Sequence, residues 1–462
     1  MRDVIVSLFL LAVMPSCFRK PFIGLLLFSL LAYMRLQDLT WGFARGIRWS
    51  FYVMVITFSG FFVSTRERRF LISDLRTSIM MVLVVLVALS IGINRGLDKG
   101  DLPGFVEYTK VIVIALFTTG MVSTRERLRM ILWVIALSFA FFGFKSGLVG
   151  ILQGGSTQII QGPGGMMKDN NDYALALGMG VPMMVMLGLS ERLETLRKPL
   201  LVCVPLTLVT IALTHSRGGF LASSLGLFIM IMRSRNRLVG IVMIGIIGVG
   251  ALVGAPSSYI DRIKSIGEYE EDSSAQARFA AWRVAGEMIQ ANPVFGVGFG
   301  HFQDNYNVYD PARRDSDLEQ HVSHVAHNSY LQIWAECGTP TFFLYLTLIA
   351  LSFIDLWGVR ALAKRRYHSS WILNYTTMFE ASLATFTLGS IFLNRAHFDL
   401  FYHWVALILA FSTIARQHMT DPTFYPKINS GSRGVLHAME SPGFGRRLPR
   451  NGFARKAPGA SF

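Results

Sequence analysis

Long apolar segments recur from one end of the chain to the other, and they limit the fold more than any other feature. A helix needs roughly 20 apolar residues to cross a bilayer. Only 16% of the 462 residues are charged, against roughly 25% in soluble domains. The sequence therefore predicts an all-α polytopic membrane protein with about 12–14 transmembrane helices. Thirteen segments are candidates, near residues 4–16, 21–34, 49–63, 78–93, 105–122, 128–150, 173–189, 199–214, 218–232, 238–254, 330–356, 372–393 and 397–415.

Basic clusters predict the orientation, because short cytoplasmic loops carry an excess of Lys and Arg. One long loop, 255–329, is predicted on the opposite side, and it carries six Lys/Arg against eleven Asp/Glu. Five basic clusters fall on alternate loops and so on one side, the cytoplasm: residues 19–20, 65–69, 125–129, 233–237 and 364–366.

We expect one membrane domain, residues 1–416, into which the loop 255–329 is inserted. Residues 417–462 are rich in Gly, Pro, Ser and Arg and predict a basic, disordered cytoplasmic tail that is either solvated or in contact with membrane lipids. The net charge of +15 reflects this tail and the basic loops. No aromatic-interleaved basic groove is evident, so nucleic-acid binding is not expected.

The long loop is predicted to contain a helix over residues 275–291, which Asn292-Pro293 ends. Gly296, Gly298 and Gly300 follow and predict a tight turn, whose N–H groups are open to an anion. The helix carries an apolar stripe, predicted to lie against the membrane domain, formed by Phe279, Trp282, Ala285, Met288 and Ile289.

The end of the loop, Val325–Leu331, places His327 at the membrane boundary, just before an apolar segment. An imidazole titrates near neutral pH and can accept a hydroxyl proton, so His327 is the candidate general base. The alternative is a histidine that caps the helix, but Asn328 or Ser329 can supply that cap. Glu336, further along the helix, either orients His327 or an arginine, or pairs within the bundle.

Three further basic residues are candidates for binding an anion. Arg217 precedes two glycines, and it either extends toward lipid headgroups or binds a ligand that the glycines allow to approach. Arg278 and Trp282 are spaced i, i+4, which suits either a cation–π or packing contact, or a guanidinium directed at phosphate. Lys168 either adds positive charge to a site that binds an anion, or belongs to a segment that only caps the span that follows it.

Motifs for other chemistries are missing from the sequence. No Asp-x-Asp or other paired carboxylate stands out as a site for a divalent metal, no Walker loop occurs, and the three cysteines have no CxxC spacing, so no metal site and no cofactor are predicted. Two arginines and one base suit a donor that is already activated as a lipid-linked pyrophosphate.

These residues resemble the bacterial O-antigen ligase and polymerase superfamily of polytopic glycosyltransferases, over roughly residues 150–360. The N-terminal part, Arg19–Pro21 and Leu39–Phe43, resembles the subgroup of exosortase A-associated O-glycosylation ligases. The superfamily motifs are Ser216–Gly219, Arg278–Trp282, Asn292–Gly298, and His327–Leu331 with Glu336 and Gly338.

The resemblance implies transfer of a glycan from undecaprenyl pyrophosphate to an acceptor hydroxyl, on a lipid A core sugar or a protein. The reaction takes place at the periplasmic face of the bacterial inner membrane, with inversion and without a metal. The resemblance makes His327 the base or acceptor-positioning group, and Arg217 and Arg278 the pyrophosphate ligands.

Two other functions stay open. A polymerase of the same superfamily would lengthen the lipid-linked chains, and a transporter or flippase would move lipid-linked sugars. Transport favours charged residues midway through several spans, whereas the distinctive polar residues here gather at one face and in one loop.

Overall fold

A computed structural model describes residues 1–63, 72–95, 102–234, 237, 273–311, 324–366 and 370–421. The predicted span 238–254, the loop residues 255–272 and 312–323, and the tail beyond residue 421 lie outside these ranges. The elements are α1 (Arg2–Arg19), α2 (Pro21–Tyr33), α3 (Phe43–Gly46), α4 (Trp49–Val63), α5 (Leu75–Arg95), α6 (Leu102–Met121), α7 (Arg125–Leu152), β1 (Gln161–Gly164), β2 (Met167–Asp169), α8 (Asn170–Ser190), α9 (Glu194–Leu213), α10 (Arg217–Arg233), α11 (Ser273–Ala291), α12 (Phe302–Tyr309), α13 (Ser329–Arg366), α14 (Ser370–Gly389) and α15 (Asp399–Thr420).

The predicted all-α membrane architecture is confirmed. Twelve of the predicted spans coincide with helices. Of the helices in the described ranges, six are long and apolar enough to cross a membrane, and α2 and α4 are shorter apolar helices. The only sheet in the described part of the chain is the antiparallel hairpin of β1 and β2.

Helix α8 lies at the centre of the bundle, since 83% of its most apolar stretch is buried. It packs against α14, α10 and α9. Small residues allow this close packing, as is common between membrane helices. A Cβ atom at Gly178 would lie 2.2 Å from Ser223 Oγ, and one at Gly180 would lie 2.8 Å from the Phe139 ring.

Ion pairs join neighbouring helices toward one end of the bundle. Arg129 pairs with Glu191, and the buried Arg360 donates to Glu380 at 2.8 and 3.0 Å. Arg233 approaches the same carboxylate at 3.3 Å. Arg129 and Arg233 belong to two different basic clusters, so both clusters lie at one end, as the orientation argument requires.

The loop helix α11 begins at Ser273, two residues before the predicted start. Its buried side is Ala281, Val284, Ala285 and Met288, which pack near the start of α13. Part of the predicted apolar stripe is wrong, because Phe279 is 52% exposed. The side of the helix that faces α13 therefore consists of smaller residues than the predicted stripe, which included Phe279 and Trp282.

Helix α13 is interrupted at Gly338, whose φ of 81° and ψ of 175° are accessible essentially only to glycine. Val297 N–H and Gly298 N–H donate to the carbonyls of Ala335 and Glu336 at 2.9 and 3.0 Å, and Thr339 N–H donates to Pro293 O at 2.8 Å. The predicted tight turn therefore satisfies backbone groups at the helix break. It does not direct these two N–H groups at an anion.

We expect Gly338→Ala to destabilise the protein by more than about 2 kcal/mol, because it strains the backbone and crowds a fixed neighbour. A Cβ atom there would lie 2.0 Å from Val294 O. The thermal unfolding midpoint in detergent measures the effect. Gly358→Ala in the same helix is the control, since its Cβ would meet only a guanidinium nitrogen at 3.7 Å. Equal midpoints for the two variants would contradict the account.

Candidate active site

Two of the predicted site segments meet at the end of the bundle opposite the ion pairs described above. Ser216 Oγ donates to Asn171 Oδ1 at 2.7 Å, and Asn170 Nδ2 donates to Thr214 O at 2.9 Å. These bonds join the start of α8 to the start of α10. The segment that contains Lys168 is therefore held against the one that contains Arg217.

Two more helix starts join them. Ser329 N–H and Oγ donate to the carbonyls of Ser390 and Leu393, and Arg395 N–H donates to Ser329 Oγ at 2.9 Å. The Arg395 guanidinium forms an ion pair with Asp172 in the first turn of α8. The N-terminal ends of α8, α10, α13 and α15 thus surround one region, and helix N-termini favour negative charge.

His327 lies one residue before the helix cap, with a left-handed φ of 45°. Asn328 Oδ1 accepts from the N–H groups of Tyr330 and Leu331 at 3.0 and 3.1 Å, so Asn328 caps α13. The His327 imidazole is therefore not needed as a helix cap, and the sequence-based expectation that Asn328 or Ser329 could supply the cap is met by Asn328. The left-handed backbone is rare outside glycine and asparagine, and it fixes where the ring projects.

The surroundings of His327 favour its neutral form. Burial lowers the pKa of His327 below its usual 6.5, and the positive charge of Arg278 lowers it further. His324 acts in the same direction, and Asp169 opposes both. A neutral imidazole at neutral pH has a lone pair with which to accept a proton.

Helix α11 brings Arg278 to this histidine. Trp282 Nε1 donates to Ala326 O at 2.9 Å, which fastens the helix to the residue before His327. Arg278 Nε is buried and has no hydrogen-bond partner among the described residues. A buried donor without a partner is costly, and a ligand oxygen would satisfy it. Arg278 thus has a buried N–H group without a partner among the described residues, and Trp282 holds the helix that carries it.

Arg217 is the first residue of α10 and is exposed, while Ser216 Oγ caps the helix by accepting from Gly219 N–H at 3.1 Å. The two glycines allow neighbouring residues to pack closely against α10. A Cβ atom at Gly218 would lie 2.7 Å from Phe392, and one at Gly219 would lie 2.5 Å from Ala174. The neighbouring Ser216 is bonded to the start of α8, where Asp169 acts electrostatically on His327.

Lys168 is exposed on β2. The next residue, Asp169, caps α8 by accepting from Asn171 N–H at 2.8 Å. The capping interpretation of this segment is therefore confirmed. Asp169 also raises the pKa of His327, which places its carboxylate within electrostatic reach of the imidazole.

Glu336 is buried and interacts within the bundle. His397 Nε2 lies 3.5 Å from the Glu336 carboxylate, and Gln332 Nε2 lies 3.4 and 3.5 Å from its two oxygens. The His397 ring packs 4.3 Å from the Phe299 ring and 5.3 Å from the Tyr108 ring, centroid to centroid. The pairing interpretation of Glu336 is thus supported over direct orientation of His327.

Two comparisons with known families cover different parts of the chain. Residues 202–346 match the family described as O-antigen ligase. This part of the chain belongs to the O-antigen ligase-like superfamily. The matched region contains Arg217, Arg278, His327 and Glu336. Residues 1–172 match a family of unknown function, DUF5935. Assignment to the exosortase-associated subgroup stays a prediction.

The other comparisons add little. The search of curated proteins found no match. A chain from a solved peptidoglycan synthase complex is similar over 75% of this chain and 98% of its own length, at 13% identity and a TM-score of 0.40. That similarity is too distant to support any inference about function.

The sequence interpretation of this O-antigen ligase-like protein missed Arg395 and His397. Both lie in a short polar run between α14 and α15, although the span predicted over residues 397–415 included His397, and that run was the available signal. Arg395 adds a third guanidinium to the region. Burial lowers the pKa of its guanidinium, but the bond to Asp172 outweighs burial and the net pKa is raised, so Arg395 stays charged.

The lowered pKa of His327 predicts the pH dependence of a reaction that uses it as a base. The imidazole must be neutral, and it is neutral above its pKa. The lowered pKa belongs to the protein without substrate, so kcat/KM should fall toward low pH with a midpoint below pH 6.5. Initial rates at substrate concentrations well below KM, between about pH 5 and 8, test this. A fall centred above pH 7 would contradict the assignment.

Proposed function

We propose that this protein transfers a glycan from an undecaprenyl-pyrophosphate donor to an acceptor hydroxyl, on a lipid A core sugar or a protein, at the periplasmic face of the bacterial inner membrane. Membership of the O-antigen ligase-like superfamily supports glycan transfer in general. Two neighbouring groups carry the finer proposal: His327, whose pKa is lowered by burial and by Arg278, and Arg278 itself, whose buried Nε has no hydrogen-bond partner among the described residues.

In the proposed reaction, the acceptor oxygen attacks the anomeric carbon as its proton passes to His327. The bond from the anomeric carbon to the phosphate oxygen breaks, and undecaprenyl pyrophosphate leaves with the bonding electrons. Attack from the opposite side inverts the anomeric configuration. The proton on His327 then passes to water, which restores the base.

The leaving group gains negative charge as the bond breaks, so fixed positive charge nearby lowers the barrier. Arg278 offers its planar guanidinium, and Arg217 begins α10 with its side chain exposed. Planar guanidinium groups match two phosphate oxygens at once. The N-termini of α8 and α13 add partial positive charge. The charge neutralisation thus needs no metal, and added chelator should leave the rate unchanged.

Reconstitution tests the proposal. The purified protein is supplied with an undecaprenyl-pyrophosphate glycan and, in separate reactions, with lipid A core or an acceptor peptide, and the glycan is followed by gel. Transfer to one acceptor supports the proposal and identifies that acceptor. Longer lipid-linked chains without transfer would indicate a polymerase. Passage of the glycolipid across liposomes without a new bond would indicate a transporter.

A further inference from the structure

A second region able to hold a ligand lies among the N-terminal helices, outside the O-antigen ligase match. It is a cavity of about 820 Å³ between α2, α4, α6 and α15. The loop after α2 and the starts of α4, α6 and α15 form its mouth, at the same end of the bundle as the candidate active site. Most of its lining belongs to residues 1–172, whose family has no known function.

The cavity is polar at its mouth and apolar further in. Arg35, Arg45 and Arg48 line the mouth, whereas Phe28 and Met54 line the interior. Along α6 the lining runs from Leu102 to Ile114, which at 1.5 Å per residue is about 18 Å of depth. This gradient matches a molecule with a charged headgroup and a hydrocarbon chain.

The charged residues that line the cavity include one more cation than carboxylate. Four cations line the cavity, Arg35, Arg45, Arg48 and Lys110, against three carboxylates, Asp38, Glu107 and Asp399. Asp38 pairs with Arg35 and lies 3.8 Å from Arg45, and Glu107 pairs with Lys110 at 2.6 Å. Asp399 lies within electrostatic reach of Arg35, one of the four, and of Arg395 outside the cavity. Arg48 has no ionic partner among the described residues, so the mouth suits a single anionic group.

A buried histidine gives an independent indication of a ligand. His403 lines the cavity and is 4% exposed. Its Nδ1 lies 2.6 Å from Tyr33 Oη, but its Nε2 has no hydrogen-bond partner in the described part of the chain. A buried polar atom without a partner is rare and costly in native proteins, and a ligand or water oxygen would satisfy it.

The cavity is also a neighbour of the candidate active site. The tip of the β1–β2 hairpin rests on Arg35, since a Cβ atom at Gly164 would lie 3.3 Å from Arg35 Nε. The same hairpin continues into Lys168 and Asp169. Asp399 lines the cavity just after the run that holds Arg395. The β1–β2 hairpin therefore approaches the cavity mouth at its tip, and Asp169 at its end acts electrostatically on His327.

We propose that this cavity binds a phosphate-bearing lipid, with the phosphate at Arg48 and the first part of the hydrocarbon chain against Phe28, Met54 and Ile114. Phosphate supplies the anionic oxygens that arginine and histidine donors recognise. The glycan-transfer proposal is not required for this inference. A glycerophospholipid and a polyisoprenyl phosphate share the headgroup chemistry, and the experiment separates them.

Photo-crosslinking of the full chain in detergent tests the site. The probes are phosphatidic acid and diacylglycerol that carry the same diazirine acyl chain, and the labelled peptides are mapped by mass spectrometry. We expect the phosphatidic acid probe to label peptides of α2, α4 or α6, and the uncharged probe to label them roughly tenfold less. Equal labelling by both probes, or labelling only elsewhere, would overturn the proposal.

Two variants and one control make the assignment specific. Arg48→Ala should reduce the labelling roughly tenfold, and Ala32→Trp should reduce it by filling the cavity. Arg197→Ala, at an exposed position of α9, should have no effect. Because Arg48 is itself exposed, its variant should fold, and unchanged labelling in that variant would overturn the proposal.

Competition identifies the source of the lipid. Unlabelled phosphatidylglycerol and an unlabelled polyisoprenyl phosphate are added in turn at equal concentration. Stronger displacement by one of them names the class of lipid that the cavity prefers. Failure of both to displace the probe would show that the labelling does not depend on a shared headgroup, and would contradict the proposal.

Discussion

His327→Asn should reduce glycan transfer by roughly 10²- to 10⁴-fold, the usual contribution of a general base. Asparagine tolerates the left-handed φ of 45° at this position, so the substitution removes the imidazole and keeps the backbone. Alanine would remove the same base but would strain the turn, which makes it the less informative variant. Initial rates with purified, reconstituted protein measure the effect.

The control for this substitution is His324→Asn. His324 lies nearby, with its ring 5.4 Å from the Tyr306 ring, and the reaction gives it no role. We expect it to keep most of the activity. Comparable losses in both variants would mean that the region tolerates no change, and near-normal activity of His327→Asn would remove His327 from the mechanism.

Arg278→Ala should reduce the rate by roughly 10²- to 10³-fold, as expected when a donor to a developing negative charge is lost. It should also move the acidic limb of the pH–rate profile to higher pH. The reason is that the charge of Arg278 lowers the pKa of His327, so its removal lets that pKa rise. Rates of the residual activity between about pH 5 and 8 measure both effects.

Arg278→Lys separates charge from geometry, because lysine keeps the charge but cannot form two parallel bonds to phosphate. It should leave the acidic limb in place while the rate stays low. Arg283→Ala, an exposed arginine on the same helix, is the control. An Arg278→Ala variant with a normal rate and an unmoved limb would contradict the proposed contact with both His327 and the leaving group.

Membrane helices were predictable from the sequence because each span carries its own hydropathy signal. Twelve of the predicted spans coincide with helices of the described chain. The loop helix was also predictable, since Asn292-Pro293 ends it at Ala291. Its contacts were predictable only in part: Ala285 and Met288 of the predicted stripe are buried. Ala281 and Val284 complete the buried side, and the small size of these residues gives a weak periodic signal.

Candidate site residues could be singled out from the sequence where a helix-capping residue and a titratable residue are neighbours in one short motif. Asn328 caps α13, and so His327 is left available for chemistry. The contributions of Arg395 and His397 depend on partners more than 60 residues away in the sequence, Asp172 and Glu336. No local pattern indicates such pairs, and the same holds for the packing of Gly218 against Phe392.

The most direct test of the account is the release of undecaprenyl pyrophosphate by the purified protein, measured together with glycosylation of the acceptor by mass spectrometry. The account predicts one glycosylated acceptor, with inverted anomeric configuration, for each undecaprenyl pyrophosphate released. Both products should be lost in His327→Asn and retained in His324→Asn. Undecaprenyl pyrophosphate release that persists in His327→Asn, or an acceptor with retained configuration, would contradict direct displacement assisted by His327.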